Sequence, residues 1–257
     1  MNVKDEIYSE HQYIDQLLKD FKLRDIREVF EDEIQRAVDE KISYRDFLKA
    51  LLEIEYQGKM NRRTERYLKD ARFHKFSTLE EFDFTFPKRI HVEKVKELQS
   101  LRFLEKGENV VLLGPAGVGK SHIATALGVK ACQSGKKVRF ICAHQLMDEL
   151  YKAYEEQSVK AYFKQLNKYP LLIIDDFSHF KLSKEKESLF FQLIRQRYEK
   201  NSLIITTNVP LGSWDEIFTS NLAVTAVLDR LLHHCHMISI AGDSYRVKDK
   251  IRRPVDD

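Results

Sequence analysis

The chain has 257 residues, 43% hydrophobic and 32% charged, enough for one large domain or a medium one with a small companion. Its net charge of +3 is too mild to name a nucleic-acid partner, so what matters is where the charge sits. The opening MNVKDEIYSEHQ lacks a signal-like apolar core, no run reaches the roughly 18 to 20 apolar residues of a membrane span, and Cys132, Cys142 and Cys235 show no paired spacing, so we expect a reduced, cytoplasmic protein with no membrane partner.

Residues 1–75 contain no proline and one glycine, Gly58, with apolar residues at helical spacing through Ile7, Ile14, Leu17, Leu18 and Phe21 and again through Ile26, Val29, Phe30 and Ile34. Ser43, followed by Asp46, is a capping-box-like start for a further helix. A small all-helical N-terminal domain is expected. Its last helix turns basic: seven Lys and Arg lie between Lys59 and Lys75 against Glu65 and Asp70. Arg62, Arg66 and Lys69 share a face with Arg63 beside it, and Tyr56, Tyr67 and Phe73 are interleaved. Such a face suits the phosphates of duplex DNA, and it suits equally the solvated side of a long helix.

Residues 76–90, FSTLEEFDFTFPKRI, read as an extended linker that packs on the domain after it. Phe82, Phe84 and Phe86 alternate as strand residues do, and a segment in this place often lines a nucleotide-base pocket; plain packing explains any single ring as well.

From residue 91 to 257 the pattern alternates strand and helix. A helix over 91–105 leads to a strand at 109–113. Further strands are expected at 137–141, 171–174, 202–206 and 236–240. Helices should lie between them: one to about 133, ended by Gly135, a pair at 145–155 and 158–168, then 184–200, a short one near Trp214, and 221–234. The fold class is α/β, a parallel sheet with helices on both faces. Lys160, Lys164 and Lys168 fall on one helical face, a second basic surface where Lys160 and Lys164 are candidates for DNA contact.

The apolar run Val110–Leu113 is followed by Gly114, Pro115, Ala116, Gly117, Val118, Gly119, Lys120 and Ser121, which fit G-x-x-x-x-G-K-[ST] between a strand and a helix. This is a phosphate-binding loop: its glycines let successive N–H groups turn toward phosphate oxygens, and the following helix adds its positive end. Lys120 would reach the β- and γ-phosphates of ATP, and the Ser121 hydroxyl would bind Mg²⁺. Asp175 and Asp176 end the apolar run Leu171–Ile174. Because ligands sit at the carboxyl ends of parallel strands, Asp175 would help hold Mg²⁺, and Asp176 would orient or activate the attacking water. Asn208, after Thr206 and Thr207, could hydrogen-bond that water or the γ-phosphate, or simply form a turn with Pro210 nearby. Arg230, in an otherwise apolar helical stretch, suits transition-state charge, and a surface ion pair with Asp229 is the plainer account. His233, His234, Cys235 and His236 are not expected to hold a metal, since adjacent side chains at a helix end point apart.

Taken together, the helical N-terminus, GPAGVGKS, LLIIDD, TTN, the DR-L helix and the ending GDSYRVKDK resemble the IstB-like ATP-binding proteins, AAA+ transposition helpers related to the DnaC helicase loader. The resemblance implies a DNA-stimulated AAA+ ATPase that uses ATP and Mg²⁺, forms homo-oligomers through ATP-bridged interfaces on DNA, and works with a transposase. It assigns ATP to Gly114–Ser121, Mg²⁺ to Asp175, the catalytic acid to Asp176, the sensor-1 role to Asn208, and an arginine finger acting on a neighbour's ATP to Arg230. Asp176 stands where many AAA+ proteins carry Glu, which implies slow turnover. Arg246 is set aside as a sensor-2 residue because no helical lid precedes it. The alternative is a helicase loader, which shares every ATPase residue. A small-molecule P-loop kinase finds no support.

Overall fold

The helical periodicity of the first residues becomes α1 (Val3–Asp20), α2 (Arg24–Asp39) and α3 (Tyr44–Ala71) in the structure, a computed structural model that describes residues 3–178 and 180–247. Its contacts divide the chain into two units that part within α3, at Glu65/Arg66. The boundary read from sequence, at residue 75, falls later because Tyr67, Leu68 and Ala71 belong to the core of the second unit.

In the first unit, α2 begins at a residue that cannot cap it, Leu23. The buried Glu55 carboxylate does so instead, accepting the Asp25 and Ile26 N–H groups at 2.8 and 3.2 Å. Arg62 forks onto Asp25 at 2.6 and 2.7 Å and reaches Glu55 at 3.6 Å, while Lys59 lies 3.4 Å from Glu55. The Arg62 hydrogen bonds hold the Asp25 carboxyl below its ordinary range. Arg62, expected among the phosphate contacts, is therefore already engaged by two carboxylates. At the start of α3 the Ser43 hydroxyl accepts the Asp46 N–H at 3.2 Å, the cap expected from sequence.

In the second unit, β1 (Asn109–Leu113), β2 (Val138–Cys142), β3 (Leu171–Asp175), β4 (Ser202–Thr207) and β5 (Cys235–Ser239) pair in parallel in the order β2-β3-β4-β1-β5. Because strand side chains alternate, each strand feeds two cores. Val110, Leu112, Leu171, Ile173 and Ile204 pack with α4 (Val92–Leu98), α5 (Arg102–Glu105) and α6 (Lys120–Gln133). Val111, Leu172, Ile174, Leu203 and Ile205 pack with α7 (Ala143–Glu155), α8 (Val159–Leu166), α9 (Lys184–Arg197) and α10 (Asn221–His233). No helix among the described residues is long and apolar enough to cross a membrane.

Three expectations shift. The single helix over 91–105 breaks at Leu101, which turns to φ 58 so that it and Phe103 both reach the core. Helix α8 stops at Leu166 rather than Lys168, since Pro170 disfavours helical geometry just before it. The aromatic segment 76–90, read as an extended linker, is built of turns and bends and packs Leu79, Phe82 and Phe84 on the core of the second unit. There the Asp83 carboxylate accepts the Thr85 N–H and hydroxyl, and Phe82 sets its edge against Phe84 at 4.8 Å between ring centres. Gly135 does end α6: its N–H and that of Lys136 donate to Cys132 and Ala131, a Schellman closure.

Arg197, at the end of α9, is fully buried with no carboxylate partner among the described residues. Its guanidinium donates to the carbonyls of Leu166, Tyr169, Pro170 and Ser202 at 2.9–3.4 Å, tying the entries of β3 and β4 together, and burial pulls its pKa down to about 9. Arg197→Met keeps much of the volume and strands those acceptors, so it should cost roughly 3 kcal/mol in urea unfolding. A loss under about 0.5 kcal/mol would mean that water replaces the guanidinium.

Candidate nucleotide site

β1 delivers the chain into the loop Gly114–Ser121, and α6 starts at Lys120 with Gly119 as its N-cap. Gly117 (φ 79) and Gly119 (φ 99) hold left-handed angles. A Cβ on Gly117 would meet Ser244 Oγ at 2.0 Å, and one on Gly119 would meet Phe82 Cε2 at 2.4 Å. Two segments distant in sequence therefore press on the loop. Lys120 is buried, and its Nζ donates to the carbonyls of Gly114 and Pro115 at 2.6 and 2.7 Å. Burial lowers its pKa, Asp176 and Asp175 oppose that, and Arg246 adds to the lowering.

At the neighbouring strand tips one hydroxyl organises the acids. Thr206, buried on β4, donates its Oγ1–H to Asp175 Oδ1 at 2.6 Å and accepts the Asp176 N–H at 2.8 Å. Asp176 sits at φ 57, a region that Asp tolerates better than most residues. Phe177 follows, fully buried, donating its N–H to the Thr206 carbonyl at 2.8 Å and stacking on Trp214 at 4.4 Å and Phe190 at 5.2 Å. Asp176 is thus fixed between a hydrogen bond and an aromatic anchor, pointed out of the core. Beyond β4, the Thr207 hydroxyl accepts the Val209 N–H at 3.0 Å and shapes the turn that presents Asn208. The Asn208 Oδ1 is buried with no hydrogen-bond partner among the described residues.

The loop from Ala116 onward, Asp175, Asp176, Thr206 and Asn208 line one cleft of about 770 Å³. Its lining is also aromatic, with Phe76, Phe82, Phe86 and Tyr245, and Lys75 and Arg246 add positive charge. Phe82 also sets its edge against His122 at 5.3 Å. A glycine-rich loop at a helix N-terminus, a buried cation, a hydroxyl beside paired carboxylates, an orphaned amide oxygen and aromatic lining suit a nucleoside triphosphate. Lys120, Ser121, Asp175, Asp176 and Asn208, named from sequence, all meet here. Arg230 does not: it donates to the Ala226 carbonyl at 2.8 Å and lies 5.0 Å over the Phe191 ring.

Tyr245 is an addition that the sequence reading passed over, and Arg246, set aside there for want of a lid, also lines the cleft. The Gly242–Asp243 turn after β5 was their signal. It returns the chain so that the Tyr245 N–H donates to the Gly117 carbonyl at 2.9 Å, and no lid is needed to bring Arg246 in. The Lys248–Lys250 end of the quoted GDSYRVKDK lies outside the described residues. The histidine run also differs from expectation. His236 pairs with Glu108 at 2.7 Å, but His233 and His234 place their ring centres 4.1 Å apart, because His234 leaves the helix at φ −122, ψ 81 and helical divergence no longer applies.

Of the basic residues named from sequence, Arg66 is exposed with its guanidinium 5.6 Å over the Tyr67 ring, and Arg63 has a buried Nε without a hydrogen-bond partner among the described residues. Lys69 lines a crevice with Arg72, Arg139 and the α8 residues Gln165 and Leu166. Lys160, Lys164 and Lys168 surround a shallow hollow around the other side of α8.

The family model of the IstB-like ATP binding proteins matches residues 16–253. The chain belongs to that family. It is 42% identical over 234 residues to the ATP-binding protein of insertion sequence IS21 from Pseudomonas aeruginosa, covering 91% of this chain and 88% of that one. It is 37% identical over 246 residues to the corresponding IS232 protein of Bacillus thuringiensis subsp. berliner, covering 96% and 98%. Among solved structures, AMPPCP-bound DnaA from Aquifex aeolicus superposes with a TM-score of 0.56 at 20% identity, over 72% of this chain and 57% of that one. The DnaC helicase loader gives 0.50 at 22% identity, over 68% and 98%. These likenesses show the AAA+ P-loop fold; the family membership adds ATP binding.

If the Thr206 hydroxyl orders the acids, Thr206→Val should weaken Mg²⁺-dependent ATP binding about tenfold while Thr206→Ser stays near wild type. Titration of a fluorescent ATP analogue with and without Mg²⁺ checks this. Equal weakening in the absence of Mg²⁺ would show a packing effect instead.

Proposed function

We propose that the chain is a Mg²⁺-dependent ATPase that assembles into oligomers on duplex DNA and, with a transposase, assists transposition of the insertion sequence that carries it. The observation carrying this reading is that the cleft gathers every ATPase group except Arg230. A planar guanidinium on a helix away from its own chain's cleft suits completion of a neighbour's site. The relatives' insertion-sequence names at up to 42% identity favour transposition over helicase loading, which has the fold alone behind it.

In this mechanism the loop N–H groups and Lys120 bind the phosphates, Lys120 giving up the Gly114 and Pro115 carbonyls to do so. Ser121 and Asp175 hold Mg²⁺, which supplies charge neutralisation when bound. Asn208 orients the attacking water. Asp176 accepts its proton as the new bond to the γ-phosphorus forms and the bond to ADP breaks. The neighbour's Arg230 balances the charge that builds on the transferring group. Phe82, Phe86 and Tyr245 receive the base.

DNA contact is assigned to the second unit. Lys69 and Arg72 on one side of α8, and Lys160, Lys164 and Lys168 on the other, are the basic groups that support it. Arg62 is the least suited of the residues first named, because Asp25 and Glu55 already engage it.

Two sets of measurements test this. Turnover per chain should rise with protein concentration and with duplex DNA. Arg230→Ala should abolish that rise while binding ATP normally, and Lys120→Ala should lose binding altogether. Turnover that is independent of both concentration and DNA would overturn the proposal. DNA affinity should fall steeply with salt, and Lys160→Ala with Lys164→Ala should reduce the log–log slope by about 2. An unchanged slope would move the DNA surface elsewhere.

A further inference from the structure

Among the described residues outside the nucleotide cleft, one cluster of side chains has metal-ligand chemistry and no role in the proposed reaction. Glu199, His233 and His234 are exposed, and one ligand atom from each lies within 4.8 Å of the other two. His234 Nε2 stands 3.5 Å from Glu199 Oε1. We infer that these three residues form a site for a first-row divalent transition cation of the Zn²⁺ class.

The donors are two imidazoles and one carboxylate, which suits Zn²⁺ with water in the remaining position and does not suit the all-oxygen preference of Mg²⁺ or Ca²⁺. Zn²⁺ held at about 2.0–2.2 Å needs its donors roughly 3.3 Å apart. The His234–Glu199 pair is already near that spacing. The wider separations are of a size that rotation of exposed side chains can close.

The backbone beneath the donors is fixed from both sides. The turn carrying Glu199 is anchored by buried Arg197, which donates to the Ser202 carbonyl at 2.9 Å and accepts the N–H groups of Lys200 and Asn201 on its own carbonyl, both at 3.0 Å. Glu199 itself sits at φ 57, and its carbonyl carbon lies 3.0 Å from where a Cβ on Gly107 would be, so this turn is closely packed. The junction carrying His233 and His234 is anchored by buried Asn109. Its N–H donates to the His234 carbonyl at 2.8 Å, its Nδ2 to the Leu231 carbonyl at 3.1 Å, and its Oδ1 accepts the Leu203 N–H at 3.0 Å.

An outer partner is also in place. The Tyr198 hydroxyl lies 2.7 Å from His233 Nδ1, which orients the ring and leaves Nε2 as the ligand nitrogen. The site begins three residues after Arg230 on α10, so a bound ion would lie within a helical turn of the arginine assigned to the neighbour's nucleotide.

The test uses the untagged full-length chain, with Co²⁺ followed by its visible absorption and Zn²⁺ by equilibrium dialysis. We expect one ion per chain. His233→Ala and His234→Ala should each lower affinity by roughly a hundredfold and Tyr198→Phe by about tenfold, while His144→Ala, at the separate exposed pair with Asp148, should match wild type. Far-ultraviolet circular dichroism and ATP binding confirm that each variant is folded. Wild-type uptake by the His233→Ala/His234→Ala double variant, or no uptake by the wild-type chain, would overturn the site. A loss in His144→Ala equal to that in His234→Ala would show general surface binding and overturn it as well.

Discussion

Everything at the nucleotide cleft depends on the register in which β4 lies between β1 and β3. Leu112 and Leu113 pair with Thr206 and Thr207, while Ile173 and Ile174 pair with Ile204 and Ile205. That register levels the carboxyl ends of three parallel strands. The phosphate loop then leaves β1 beside Thr207, whose carbonyl accepts the Gly114 N–H at 3.2 Å, and the acids leave β3 beside Thr206. A slip of one residue would turn Thr206 to the opposite face and remove the hydroxyl that joins Asp175 to Asp176. The two hydrophobic cores enforce the register, because each strand buries alternate residues against a different helical layer.

The same sheet explains how the cleft acquires its second half. Phe82 and Phe86 arrive before β1, and Tyr245 and Arg246 arrive after β5. The two stretches meet through the antiparallel bridge of Arg89 and Ala241 and the edge contact of Phe86 with Tyr245 at 4.9 Å. Chain segments at either end of the domain thus close over one loop. The acids gain rigidity at the opposite side, where Phe177 is locked into the aromatic stack. Mobility is therefore restricted around the carboxylates, while Lys120, held only by two carbonyls of its own loop, is the group able to exchange partners for phosphate.

Much of this was legible in the sequence because its signals are local. The apolar runs before Gly114, Asp175 and Thr206 mark strands through burial on both faces, and loop chemistry appears within eight consecutive residues. What was hidden depends on residues far apart. Arg62 looked free because its fork onto Asp25 exists only once α2 packs against α3, which carries both Arg62 and Glu55. The alternation of Phe82, Phe84 and Phe86 imitated a strand because Asp83 bends the backbone by hydrogen bonds that periodicity does not register. Arg246 was dismissed on a topological argument, the want of a lid, although a turn at Gly242 suffices to bring it back. The convergence of His233 and His234 turned on one residue's departure from helical angles at the end of α10.

The central claim is that the site is completed by a second copy of the chain. Mixing two variants tests it most directly: Lys120→Ala, which supplies Arg230 and binds no ATP, and Arg230→Ala, which binds ATP and supplies no arginine. With duplex DNA present, neither alone should turn over ATP, and an equimolar mixture should recover up to about a quarter of wild-type turnover if subunits assort at random. A mixture no more active than the sum of its parts, under conditions where the two variants are shown to co-assemble, would contradict the account.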